Sequence, residues 1–390
     1  LADGLDIYLD RVKTKYSGLN STELAISESQ ERMSVVVEAK DMEEFMGYCR
    51  EENIEAVHVA DVTDTARMRM FNGDRKVVDL KREFIDSAGA KHYAEARIGA
   101  VENRDPFARE VAGETLAERF TNNLKDNNVV SQRGLVEMFD ATIGRSTVLM
   151  PFGGRMQRSE TQVSVQKLPT DGYTDTASIM AFGYNPYVAS WSPYHGAAYA
   201  VVEAAAKVVA AGARYERMRY SYQEYFERMT RNPESWGKPL GALLGALKMQ
   251  VELGLPSIGG KDSMSGTFQD INVPPMLMAF GITTVDASKV ISLVRHTPLE
   301  NRMPDTAQLK ENFAFVSGRI ESGKILSAWS VGFGGVGEGL AKMAFGNGIG
   351  AEVTMDEPKL YEYAYGSILV ECEGTLESVS YTHLTLPTKR

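Results

Sequence analysis

The chain has 390 residues, enough for two or three domains, and a composition of 43% hydrophobic and 24% charged residues supplies at least one sizeable core. Forty-two Lys plus Arg against 52 Asp plus Glu leave a formal net charge of -10, which repels a polyanion and argues against general nucleic-acid binding while leaving room for one local phosphate site. No run reaches the 18 or so apolar residues of a membrane span, and two cysteines, Cys49 and Cys372, are too few for a disulfide framework or a thiolate metal site, so a reducing, cytoplasmic setting is the default expectation.

In chain order, the β-branched run 33–39 (M-S-V-V-V-E-A) predicts a strand. Asp41 with Glu44 three residues on predicts a capping box for a helix whose Met42, Phe45, Met46 and Cys49 share one face. The apolar run 56–59 predicts a second strand. Residues 103–133 are polar, with a helical pattern in Phe107, Val111, Leu116 and Phe120, and read as a connector. Strands are expected at 162–166 and 178–182, then an Ala-rich, all-round apolar helix at 196–212 that must be buried against close neighbours. A second buried helix, 240–253, closes on Gly254. A Gly-rich turn follows, then a strand at 276–285, a strand at 325–331 and a helix at 337–345. The fold class is mixed α/β. The chain begins Leu1-Ala2-Asp3, and residues 379–390 carry no periodicity matched to what precedes them; they resemble translated adapter sequence, and the chain reads as an internal segment.

Three motifs carry potential chemistry. Gly259-Gly260-Lys261-Asp262-Ser263-Met264-Ser265-Gly266 joins glycines that let backbone N–H groups approach an anion, a lysine and two hydroxyl donors. Asp262 would repel a phosphate unless a cation lay between them. The spacing is not that of a Walker loop, and a tight polar turn is the plain alternative. Glu28-Ser29-Gln30-Glu31-Arg32 is a polar cluster at the mouth of a predicted strand, or simply solvated loop. The stretch 332–339 contains G-x-G-x-x-G from Gly332 to Gly337, with Asp356 some twenty residues on, the spacing of a dinucleotide fingerprint and of an NAD-dependent oxidoreductase. Glycines also pack helix starts against sheets without a ligand. Glu203 and Lys207 stand i,i+4 in the order that favours a helix ion pair. His195 precedes the Ala-rich helix and reads as a capping or packing residue; the five His are too scattered for a metal cluster.

Taken together, G-K-D-S-M-S at 260–265, the preceding helix with Gly254-Leu255-Pro256, the Ala-rich helix with Glu203, and E-S-Q-E-R at 28–32 resemble the large phosphoribosylformylglycinamidine synthases of purine biosynthesis. The resemblance implies a pair of pseudo-symmetric halves, each like aminoimidazole ribonucleotide synthetase, here incomplete. Residues 1–100 would be the C-terminal subdomain of the first half, 101–145 a connector, 146–290 and 291–378 the two subdomains of the second half, and 379–390 a non-native tail. It implies an ATP- and Mg2+-dependent carbon–nitrogen ligase that turns formylglycinamide ribonucleotide into formylglycinamidine ribonucleotide, with a glutaminase domain as partner and no nucleic acid or membrane. A non-catalytic scaffold half is the rival reading.

By position, the resemblance implies that Glu28, Ser29, Gln30 and Ser263 contact the ribonucleotide, and that Gly260, Lys261 and Asp262 lie near nucleotide, phosphate and metal. Lys261 stands where the shorter family branch has a metal-ligating Asn. An auxiliary nucleotide site maps to Lys167, Glu203, Lys207 and Ser330, where only Glu203 keeps a ligand type. Two lysines oppose a cation there, so the expectation is an empty site with Lys167 or Lys207 pairing Glu203. No residue of this segment is assigned a catalytic role, the metal ligands are open, and the segment alone is expected to be inactive.

Overall fold

Period-two alternation builds the main sheet, and small side chains bring its covering helix close. The computed structural model describes residues 2–27, 32–87, 93–287, 302–350, 353 and 355–372. The chain divides into two compact units, Leu1–Tyr93 and Ala94–Arg390.

In the first unit the elements are β1 (Gly4–Tyr8), α1 (Ser21–Ile26), α2 (Met42–Glu51), β2 (Ala60–Thr63), β3 (Arg67–Asn72), β4 (Arg75–Lys81) and α3 (Arg82–Ser87). They form a four-stranded sheet in the order β2-β1-β3-β4, with β1 and β3 parallel. At the register pair Asp6↔Arg69 the guanidinium forks onto the carboxylate, at 2.6 and 2.7 Å, a bidentate pair that pins the parallel strands. Two expectations fail here. The run 33–39 is not a strand: among the described residues it joins no ladder, and Met33, Val35 and Val36 are exposed, because propensity makes no ladder without a neighbouring edge. The second strand begins at Ala60, since pairing to β1 (Ile7↔Ala60 through Gly4↔Thr63) sets its ends. Asp41 precedes α2 as expected but makes no capping hydrogen bond; Glu44 instead accepts from the Tyr48 hydroxyl at 2.7 Å.

The second unit opens with α4 (Leu116–Lys125), whose Thr115 and Glu118 form a full capping box, and the short α5 (Arg133–Val136). This segment is packed into the unit: Asn123 is fully buried and donates to Gly334 O at 2.9 Å, and Arg119 forks onto Glu357. The chain continues through β5 (Phe152–Gly153), β6 (Ser159–Glu160), β7 (Ser164–Lys167), β8 (Thr176–Gly183), α6 (Pro186–Trp191), α7 (Pro193–Ala210), β9 (Arg219–Tyr225), α8 (Pro233–Leu253), β10 (Ser257–Lys261), β11 (Thr267–Phe268), β12 (Ile271–Asn272) and β13 (Met276–Asp286). It closes with α9 (Thr306–Glu321), β14 (Ile325–Ser330), α10 (Gly335–Phe345) and β15 (Ile368–Cys372).

Five strands form the main sheet in the order β10-β9-β13-β8-β7; β10 and β9 are parallel and the other pairs antiparallel. Along β8 and β13 every second residue is buried (Ala177, Ile179, Ala181; Leu277, Ala279, Val285), while Met180, Phe182 and Ile282 stay exposed on the other face. The buried face packs on α7, whose residues from Gly196 to Ala210 are all buried. Alanine and glycine make that contact possible. A Cβ on Gly245 of α8 would fall 1.9 Å from Tyr194 O, and one on Gly183 at the end of β8 would fall 2.2 Å from Ala200 O. The helix predicted at 240–253 starts earlier, at Pro233, because Asn232 caps it and proline is tolerated in the first turn; it ends on Gly254 at φ 74°, as expected.

Candidate functional site

Two places in the second unit gather polar groups, and they differ in kind. The first is the end of β10 and the loop after it. β10 is an edge strand, exposed along its whole length, and Gly259, Gly260 and Lys261 belong to it rather than to a free turn. The register Gly260↔Tyr222 and Lys261↔Gln223 is closed by backbone contact: a Cβ on Gly260 would meet Tyr222 O at 2.5 Å. Beyond the strand the pairing continues, with Ser263 N–H donating to Glu224 O (3.1 Å) and Phe226 N–H to Ser263 O (2.9 Å). The segment carrying Lys261, Asp262 and Ser263 is therefore held against β9 rather than swinging free. Lys261 and Asp262 are exposed, and neither joins an ion pair among the described residues.

Sequence reasoning missed what lies beside this loop. Glu224 on β9 is 6% exposed, and its Oε1 has no hydrogen-bond partner; two residues earlier, on the same side of the strand, the Tyr222 hydroxyl is also buried without one. Burial, then the charge of Asp262, push the Glu224 carboxyl up to about 7. The missed signal was an acid in the alternating run R-Y-S-Y-Q-E-Y, at a position whose period-two partners Tyr220 and Tyr222 face inward.

The second place is a buried set of charges between α7 and α10. Gly183 lets the end of β8 close on α7, and Glu203 lies there 6% exposed. Its Oε1 pairs with Lys207 Nζ at 2.8 Å, and its Oε2 accepts from Tyr184 N–H at 3.0 Å. Lys207 also donates to Phe182 O at 2.9 Å. Burial drives the Glu203 carboxyl upward, against the pull of Lys207. On α10 the pattern repeats. Glu338 pairs with Lys342 at 2.9 Å and accepts from Gly334 N–H at 2.7 Å, and Lys342 also reaches Glu160. Burial would lower the Lys342 ammonium, but Glu338 and Glu160 outweigh it and hold it up. Gly332 runs between the two carboxylates: a Cβ there would be 3.8 Å from Glu203 Oε1 and 3.9 Å from Glu338 Oε2.

The Glu203–Lys207 pair is the helix ion pair the spacing predicts. Lys167 does not share it; it pairs with Asp175 at 3.2 Å and lies over the Tyr173 ring. Ser330 is fully buried, its backbone and the Gln162 side chain exchanging hydrogen bonds at 2.7 and 2.8 Å, while its hydroxyl has no partner. These residues do not fit a divalent cation: an ammonium already occupies the carboxylate oxygen a metal would use. Among the described residues no group of three or more His, Cys, Asp and Glu could hold a metal.

The glycine stretch 332–337 serves packing. Among the described residues β14 pairs only with β15, antiparallel, so no parallel βαβ unit surrounds it. The Glu338 carboxylate takes the Gly334 N–H at the start of α10, where a pyrophosphate would sit, and a Cβ on Gly335 would strike Leu360 O at 2.4 Å. Asp356 pairs with Lys359 at 2.7 Å. His195 receives the Ser192 cap and exchanges a 2.8 Å hydrogen bond with its hydroxyl, lying between the Trp191 and Tyr194 rings. Both cysteines are half-buried and neither is in a disulfide, and burial pushes the Cys372 thiol up, away from nucleophilic character. Glu28, Ser29 and Gln30 lie outside the described residues. No helix among those residues is long and apolar enough to cross a membrane.

Residues 2–71 match the family model "AIR synthase related protein, C-terminal domain". The chain is 26% identical over 382 residues to "Phosphoribosylformylglycinamidine synthase subunit PurL" of Thermoplasma acidophilum, an alignment covering 90% of this chain and 49% of that protein. Thermotoga maritima PurL is similar in fold at 20% identity, covering 98% of this chain in each of three solved structures. In the PurLQS structure the TM-score is 0.58, with 59% of that chain covered; complexed with ATP it is 0.55, with 58% covered; complexed with FGAR it is 0.59, with 57% covered. The fold is the mixed α/β fold of AIR synthase-related proteins, and the chain spans about half the length of the curated relatives it matches.

Proposed function

We propose that the chain is part of an ATP-dependent carbon–nitrogen ligase that converts formylglycinamide ribonucleotide to formylglycinamidine ribonucleotide, and that residues 260–263 recognise the substrate phosphate. The observation that carries the reading is the state of this loop: Lys261 is exposed and free of ion pairs among the described residues, on a segment tied down by backbone hydrogen bonds beside it. Free cationic and hydroxyl groups on a fixed backbone are what a phosphate ester needs, since little ordering entropy is lost on binding. The FGAR complex of the similar PurL supports the substrate class.

The chemistry gives ATP its place in the whole enzyme. An amide oxygen leaves poorly until it is phosphorylated, after which ammonia can displace phosphate. The ATP complex of the similar PurL supports that nucleotide, and the PurLQS assembly supports partner subunits, among which we place the glutaminase that supplies ammonia. Within this chain, Gly260, Lys261 and Ser263 take the phosphate. Glu203, Lys207, Lys167 and Ser330 hold no nucleotide in this reading; their role is structural.

Steady-state kinetics on the complete enzyme assembly test the proposal. Lys261→Ala should raise the KM for formylglycinamide ribonucleotide at least tenfold while glutamine hydrolysis by the partner is unchanged. Turnover identical to wild type at every substrate concentration would leave the chain a non-catalytic scaffold and end the proposal.

A further inference from the structure

Asp262 stands between the two residues assigned to a phosphate, and a carboxylate there repels what its neighbours attract. The structure offers a remedy other than a metal. In the parallel register Lys261 lies opposite Gln223, so one residue further Asp262 comes beside Glu224, on the same side of the two strands. The Ser263 N–H to Glu224 O bond fixes that neighbourhood. Glu224 is buried and its Oε1 accepts from nothing, a costly state for a carboxylate but a tolerable one for a carboxylic acid. Asp262 is the charged group that bears on it, the Tyr222 hydroxyl is the polar group sharing its side of β9, and no ammonium or guanidinium pairs with it among the described residues.

We propose that Glu224 and Asp262 form a proton-carrying carboxyl–carboxylate pair, and that this proton takes the place of a cation, so that a phosphate monoester binds at residues 260–263 with uptake of a proton from solvent. Glu224 is a positioning residue: it acts through Asp262, setting the charge the loop presents. A dianion brought to the loop raises the cost of ionising the pair, and the pair responds by holding its proton. With Glu224 poised at about 7, this linkage falls in the neutral range. The inference rests on the reading of residues 260–263 as a phosphate site.

Calorimetry with ribose 5-phosphate tests it on the full chain, with EDTA present, from pH 6 to pH 8, in buffers of different ionisation heat. Wild type should take up protons on binding, and its affinity relative to Glu224→Gln should fall about tenfold between pH 6 and pH 8. The ester's own titration cancels in that ratio. Glu224→Gln, which is neutral at every pH and close to isosteric, should bind without proton uptake, and Asp262→Asn, which leaves Glu224 buried, should reduce the uptake without abolishing it. Equal proton uptake in wild type and Glu224→Gln overturns the inference, and so does binding that requires added Mg2+. If Lys261→Ala weakens binding at all pH values while Glu224→Gln matches wild type throughout, the phosphate site stands and the proton pair falls. If wild type binds no ester at any pH, both fall.

Discussion

The buried charges around Glu203 and the exposed segment around Lys261 use the same residue types to opposite ends. At Glu203 two lysines are shared among three carboxylates inside the fold: Lys207 on one carboxylate, Lys342 between two others, backbone N–H groups on the remaining oxygens. At the loop the lysine is unpaired among the described residues, one acid is exposed beside it, and a second acid is buried with an oxygen that nothing satisfies. A charge that a fold pairs internally contributes to structure and leaves nothing for a ligand. A charge held on a fixed backbone without a partner keeps its interaction free energy for whatever arrives. Both regions are acid-and-lysine motifs in the sequence; which of them is available for binding is decided by packing.

The largest expected effect breaks the closed region. Lys207→Ala leaves the Glu203 carboxylate buried 3.0 Å from one N–H donor and without its cation, and should destabilise the second unit by about 3–5 kcal/mol. Urea denaturation followed by tryptophan fluorescence reads this cleanly, because Trp191, Trp236 and Trp329 all lie in the second unit. The double substitution Glu203→Gln with Lys207→Met should recover a large part of the loss, since it removes the uncompensated charge rather than the contact. A loss below about 1 kcal/mol for Lys207→Ala would mean the pair is solvated and the contrast with the loop is false.

That pairing was visible from the i,i+4 spacing alone, as were the Ala-rich helix, its companion closed by Gly254 and the strands at 164–167, 176–183 and 276–286. Local periodicity decides such elements, so they can be read without knowing their neighbours. The run 33–39 and the polar segment 101–145 could not be read that way. A strand exists only where an edge accepts it, and Asn123 is buried only because Gly334, 211 residues later, supplies a carbonyl. The loop was legible as a motif through its glycines and lysine. Glu224 was not, because its importance comes from register: a strand 38 residues earlier places an acid beside Asp262. The dinucleotide-like spacing at 332–337 misled for the mirror reason, since the glycines fit the pattern but a carboxylate four residues on fills the place of the phosphate.

A smaller effect sharpens the open region. The Glu224 carboxyl is raised to about 7 from an ordinary carboxylate value of 4.5, so the folded state keeps a proton that the unfolded chain releases. The stability it contributes is present below about pH 4.5 and is lost as pH rises through 7. Wild type should therefore lose on the order of 1–2 kcal/mol relative to Glu224→Gln between pH 5 and pH 8, the full linkage being reduced by water near the exposed loop. Glu203 shifts in the same direction but is common to both proteins and cancels. Parallel stability–pH profiles by urea denaturation would show that Glu224 ionises as a solvent-exposed acid does.

The smallest expected effect is on stability at Lys261, and it is the one that separates binding from architecture most directly. The side chain is exposed, on an edge strand, and contributes no ion pair among the described residues, so Lys261→Ala should change the unfolding free energy by less than about 0.5 kcal/mol. Its one energetic consequence should appear when a phosphate ester is present. At saturating ribose 5-phosphate the wild-type melting temperature should rise and that of Lys261→Ala should rise less, because a ligand stabilises the native state only to the extent that it binds it. A variant that melts several degrees lower without ligand would make Lys261 part of the structure, and the loop would then be a second closed region instead of the open counterpart of Glu203.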